Sequence, residues 1–150
     1  MNKFIGLSLV TAALAAVPAA ACAQSIPQID VSAGYMATTD KTSSLGAVAT
    51  LHGTGIALPG IHPQLSFAFP FESGGRYAAT AEGVAHIPGG LFAGGGVGFG
   101  RLDQPLTTGL LYDLMAGKSV APHVDVIGRY YAGLNHYTGQ AIFAGLALRL

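Results

Sequence analysis

His123 and Asp125 stand two residues apart in the segment PHVDVIGRYY, a spacing that puts both on one face of an extended strand. A base and the carboxylate that orients it could sit this way, and Ser32 or Ser66 could supply the hydroxyl of a hydrolytic site. Such a site is defined by geometry across strands, and no local motif fixes it here, so no catalytic residue is assigned. His62, His86, His123 and His136 are candidate metal ligands, but their spacing matches no ligand set and no metal residue is assigned. The glycine-rich run Val97-Gly98-Phe99-Gly100 lacks the Lys and the Ser or Thr that a phosphate loop uses, so no cofactor or cofactor-binding residue is expected.

The elements that must carry these residues show as a period of two, repeated with turns between. Eight candidate strands follow: Ile29 to Ala37, Leu45 to about Gly53, His62 to Phe71, Arg76 to His86, Leu91 to Arg101, Thr108 to about Lys118, His123 to Tyr131, and Tyr137 or Thr138 to Leu150. The third has the clearest pattern, with Leu65, Phe67, Phe69 and Phe71 on one face and Gln64, Ser66 and Ala68 on the other. The fifth sets Leu91, Ala93, Gly95, Val97 and Phe99 against Phe92, Gly94, Gly96, Gly98 and Gly100, a glycine face that leaves room for large side chains from other strands. The sixth has two readings, because Leu106, Leu110, Leu111, Leu114 and Met115 also fit a helical stripe.

Across all eight, one face is Leu, Ala, Val, Phe and Tyr. The other gathers Asp30, Ser32, Thr50, His52, Gln64, Ser66, Arg76, Thr80, Glu82, His86, Asp113, His123, Asp125, Arg129 and Arg149. Both signs of charge occur on that face. Buried charge is costly unless paired, so these acids and bases should meet across strands as a packed interior.

Only 9% of the chain is charged, against about 25% in soluble globular proteins. Mean hydropathy is positive. Beyond Gln24, no apolar run approaches the ~20 residues of a spanning helix. The 22 glycines and 8 prolines also work against long helices. A domain this apolar would lack the charge to cover a soluble surface, whereas a barrel in lipid needs an apolar outside and tolerates a polar inside. No basic cluster points to nucleic acid.

Residues 1–23 have the layout of a secretory signal peptide: Lys3 at the start, an apolar run from Phe4 to Val17, then Ala21-Cys22-Ala23 before a cleavage site at Gln24. A retained membrane anchor and a lipid-modified Cys22 are the competing readings. Residues 24–150 then form one domain of net charge −1, since Lys3 is the only charged residue before Gln24. Cleavage would remove the only cysteine and with it any disulfide.

These features lead to an all-β fold, an eight-stranded antiparallel transmembrane β-barrel with up-and-down topology. Closure is required because an open sheet edge in lipid would leave a row of backbone groups without partners. The chain from Gln24 on resembles the small outer-membrane β-barrel proteins, loosely called porin-like or OmpA-like barrel domains. The likeness is carried by the signal ending Ala21-Cys22-Ala23, the opening strand IDVSAGYMA, the eight alternating segments and the last strand AIFAGLALRL.

The resemblance implies a cell outer-membrane location in a Gram-negative bacterium, outer-membrane lipids as partners and a monomer as the working form. It also implies that the last strand is read by the barrel-insertion machinery. The family normally ends in an aromatic residue, and this chain ends in Leu150. With both termini in the periplasm, the connections around 38–44, 71–75, 103–107 and 132–136 would face outside. Those around 54–61, 87–90 and 119–121 would face the periplasm.

An eight-stranded barrel holds side chains rather than an open water channel. The expected function is therefore non-enzymatic, structural or surface-interacting rather than an open diffusion pore. Two alternatives come from other classes. One is a soluble exported β-sandwich or small barrel acting as a binding module. The other is an outer-membrane lipid-modifying hydrolase; some small barrels are lipid hydrolases with a Ser and a His facing lipid, but no version of that motif surrounds His123 or His136.

Overall fold

Successive side chains of a strand point to opposite faces, and here the two faces differ so strongly that only a closed sheet satisfies both. A computed structural model of the protein describes residues 28–38, 43–53, 59–71, 75–102 and 107–150. The expected signal segment 1–23 lies outside the described residues, as do residues 24–27, 39–42, 54–58, 72–74 and 103–106.

The strands are β1 (Ile29–Thr38), β2 (Ser43–His52), β3 (Ile61–Pro70), β4 (Tyr77–Ile87), β5 (Leu91–Arg101), β6 (Gly109–Ala121), β7 (Val124–Gly133) and β8 (Gln140–Arg149). Each pairs antiparallel with the next, and β1 pairs with β8, so the sheet closes into a barrel with meander topology. Asp30 stands opposite both Thr50 of β2 and Arg149 of β8, which fixes the closing register. The strands run 10 to 13 residues, close to the ~9–11 needed to cross a bilayer at a tilt.

The sixth segment is a strand and not a helix. Leu110 and Leu114 are exposed on its outer face, while Leu111, Asp113 and Met115 are buried inside. Adjacent leucines on opposite faces explain why its periodicity was ambiguous.

The strand bounds differ from the sequence reading at several ends. Thr38 and Ser44, expected in a loop, belong to β1 and β2 and are buried. Tyr137, expected to open the last strand, lies in the connection before β8. His123, expected on a strand facing inward, is an exposed turn residue between β6 and β7 with φ of 63°. Alternation continues through PHVDV, but the chain reverses there.

The glycine face of β5 serves two purposes. At Gly100 a Cβ would stand 2.5 Å from Cδ2 of Leu111, so the glycine admits a side chain, as expected. At Gly96 and Gly98 a Cβ would instead overlap the backbone carbonyls of Ala81 and Ala79 on β4. There the glycines allow close approach of neighbouring backbones, the device by which a strand bends sharply enough to close a narrow barrel.

Candidate functional site: the barrel interior and its rims

Arg129 projects from the middle of β7 across the barrel axis. Its Nη1 donates to Oε1 of Glu82 on β4 at 2.7 Å and to Oδ2 of Asp113 on β6 at 3.2 Å. Its Nη2 donates to Thr50 Oγ1 on β2 at 3.4 Å. Glu82 is held further by Thr80 Oγ1 and by Gln64 Nε2, each donating at 2.5 Å. The Gln64 amide also reaches Met115 Sδ, and the hydroxyls of Thr50 and Ser66 pair at 3.2 Å. One guanidinium thus ties β2, β4, β6 and β7 together, and β3 joins through Gln64 on Glu82 and Ser66 on Thr50. The side chains of Arg129, Glu82 and Asp113 are essentially without solvent exposure. A buried guanidinium suits this place because its donors point in several fixed directions at once.

Toward the end where β1 begins and β8 ends, the interior opens into a cavity of about 580 Å³. Two more acid–base contacts line it. Asp30 Oδ2 meets His52 Nε2 at 2.8 Å, and Arg149 Nη2 donates to Asp125 Oδ1 at 2.6 Å and to Ser119 Oγ at 2.7 Å. His62 and His86 also face this cavity, their rings edge to face with centroids 5.3 Å apart. Every carboxylate described inside the barrel therefore has a basic partner.

The opposite end is filled by apolar side chains. Met36, Leu102, Leu111, Tyr131 and Phe143 are fully buried there. Tyr137 folds in from the β7–β8 connection, packs over Gly109 and Gly133, and accepts a hydrogen bond from the Leu102 amide at 2.5 Å.

The sequence-derived inward set is brought together with one exception. Asp30, Ser32, Thr50, Gln64, Ser66, Thr80, Glu82, Asp113, Asp125 and Arg129 are buried inside, with Arg76 buried near the far end of β4 and His52, His86 and Arg149 at the open end. His123 is the exception. It lies outside on the turn, and Asp125 holds Arg149 instead, so the imagined base and carboxylate do not form a pair. Ser66 is engaged with Thr50, and Ser32 is buried on β1. His136 sits exposed in the turn before β8. Among the described residues, no cluster of three or more His, Cys, Asp or Glu is placed to hold a metal ion. Sequence reading missed Met115 as a partner of Gln64 and Tyr137 as a stopper. Alternation signals a face but not which residue on it fills a gap.

The outer face is the other functional surface. Its charged residues, among those described, are Arg101 at the far end of β5 and Lys118 near the opposite end of β6. Lys118 pairs with Leu91, and Arg101 lies ten residue steps further along β5. At ~3.3 Å per residue and a tilt of roughly 40°, those steps span about 25 Å along the barrel axis, the height of the apolar band on a membrane barrel. Between the two cations the outward positions are apolar, including Leu114, Leu146 and Val97, all well exposed. Rings gather toward the Arg101 end, where Phe71, Phe69, Phe67, Tyr77 and Phe99 form a chain with successive centroids 5.7 to 6.3 Å apart.

No known family's sequence pattern matches the chain, and no curated protein matches it. Solved structures match in fold. A de novo designed transmembrane β-barrel superposes with a TM-score of 0.58 at 15% identity, covering 85% of this chain and 98% of the design. The designed barrel TMB2.3, solved by solution NMR, gives 0.55 at 20% identity, over 85% of this chain and 98% of the other. Neisserial surface protein A, NspA, gives 0.53 at 14% identity, over 83% and 94%. At these identities the likeness is one of fold: a closed eight-stranded antiparallel barrel of the transmembrane type.

Proposed function

We propose that this chain is a non-enzymatic outer-membrane β-barrel protein of the porin-like or OmpA-like kind, with a structural or surface-interaction role and no open diffusion pore. The observation that carries the reading is the outer face: an apolar band about 25 Å tall, bracketed by Arg101 and Lys118, on a barrel whose described carboxylates are all paired inside. A soluble barrel would present this face to water. Contiguous exposed apolar patches rarely exceed a few hundred Å² on soluble monomers. The plug of Met36, Leu102, Leu111, Tyr131 and Phe143 supports a barrel that does not conduct.

Two of the three connections at the end where β1 begins and β8 ends are the tightest, Pro88–Gly90 and Pro122–His123, while the third, 53–60, is the longest. Short turns mark the periplasmic side of such barrels, which supports an orientation with the termini in the periplasm. Lipid then surrounds the barrel, β8 is the strand offered to the insertion machinery, and the protein works as a monomer.

Sidedness provides the test. A cysteine placed at Leu134 should react with an impermeant thiol reagent on intact cells, and one placed at Pro88 should react only after the outer membrane is opened. In planar bilayers the purified protein should give no stepwise conductance. Equal labelling of both sites without opening the cell, or stable conducting steps, would sink this reading.

A further inference from the structure

The lipid-facing surface is not uniform. Leu65 of β3, Ala81 of β4 and Val97 of β5 stand side by side in register, and so do Phe67, Ala79 and Phe99. In both rows a small residue lies between two large ones, so β4 forms the floor of an apolar furrow. It belongs to a wider apolar depression of about 410 Å³ that continues over Ala49 and Leu51 of β2 to Ile29. At the loop end, rings close the furrow. Phe67 stacks on Tyr77 with centroids 6.0 Å apart and planes 16° apart, and Tyr77 meets Phe99 edge to face at 6.3 Å.

Arg101 comes next. It stands opposite Tyr77 in register, two residues past Phe99, on the same outward face. Its Nε is buried with no hydrogen-bond partner among the described residues. The four carboxylates described in the barrel are inside, paired with His52, Arg129 and Arg149. Arg101 is therefore a cation at headgroup height, one outward row beyond the Ala79–Phe99 row where the groove ends.

We propose that Arg101 and the furrow over β4 form a binding site for one anionic, phosphate-bearing lipid of the loop-side leaflet. The guanidinium takes the phosphate oxygens, a geometry in which two parallel N–H donors meet two acceptors. One acyl chain lies along Ala79 and Ala81. The inference rests on the membrane reading above and adds a lipid preference to it. A second copy of the chain fits this face poorly. Two barrels inserted with the same orientation and packed about a two-fold axis here would bring one Arg101 toward the other at the same rim.

The test uses the full chain refolded in neutral detergent micelles, mixed with phosphatidylglycerol or phosphatidylcholine of identical chains, and examined by native mass spectrometry. One phosphatidylglycerol should stay bound per barrel, with retention of phosphatidylcholine at least tenfold lower. Arg101→Gln should abolish that preference. The double variant Ala79→Leu, Ala81→Leu fills the furrow and should lose bound lipid of either kind while keeping the change in gel mobility on boiling that reports a closed barrel. Equal retention of the two lipids by the wild type, or an unchanged preference in Arg101→Gln, overturns the site. A wild type that shows no boiling-dependent shift overturns the membrane reading first, and the site with it.

Discussion

Replacing Arg129 with Met should destabilise the barrel strongly while leaving its backbone free to close. The Arg129 side chain is 1% exposed and sits against two carboxylates that are 0% exposed. Removing it leaves Glu82 and Asp113 as two acidic groups facing one another in a closed space, with Thr50 also losing a donor. Breaking a buried ion pair by deleting one partner costs about 3–5 kcal/mol, largely because the remaining charge stays buried. With a denaturant slope near 2 kcal/mol per molar urea, that cost moves the unfolding midpoint down by about 2 M. The triple variant Arg129→Met, Glu82→Gln, Asp113→Asn removes all the charge together, so no unpaired charge stays buried. It should recover most of the lost stability. Urea unfolding of protein refolded in phosphatidylcholine vesicles, followed by the gel shift, measures both variants. A single variant within about 0.5 M of the wild type, or a triple variant no better than the single, would refute the view that Arg129 compensates these carboxylates.

Gly98→Val should prevent closure, since its side chain would overlap the Ala79 carbonyl, whereas Gly128→Ala has no heavy atom nearer than 3.9 Å and should fold normally. The gel shift on boiling separates the two. On the outer face, Leu114→Arg near mid-band should cost about 2–4 kcal/mol, while Val120→Arg beyond Lys118 should cost no more than about 1 kcal/mol. Equal costs in vesicle unfolding would contradict the placement of the band. His123→Gly relieves a side chain held at φ of 63° and should raise stability by up to about 1 kcal/mol, read as a higher urea midpoint.

The fold was legible because each strand separates two very different environments. Leu65, Phe67 and Phe69 against Gln64, Ser66 and Ala68 can be read in one direction only, and the register of β3 with its neighbours keeps that division. Where both faces are apolar the signal fades. Leu110 and Leu111 look alike in sequence, and the contact of Asp113 with Arg129 on the inner face of the neighbouring strand fixes which side is inside.

The membership of the interior was legible for the same reason, but its pairings were not. Arg129 lies 47 residues from Glu82 and two strands separate β4 from β7, so their meeting depends on the barrel's narrow cross-section. Alternation carries no record of that dimension. His123 was misplaced because a left-handed turn residue is usually signalled by Gly or Asn, and here the turn is Pro122–His123. The glycines of β5 announced missing volume. That the volume at Gly96 and Gly98 is taken by the β4 backbone rather than by side chains follows from curvature, which a single strand does not display.

The most direct test of the account combines membrane fractionation with heat-modifiability. The native protein is extracted from separated cell fractions with mild detergent and run on a gel with and without boiling. Recovery in the outer-membrane fraction, with a shift in mobility on boiling, is the predicted result. Recovery in the soluble periplasmic fraction, with the same mobility before and after boiling, would contradict the claim that this barrel spans a membrane.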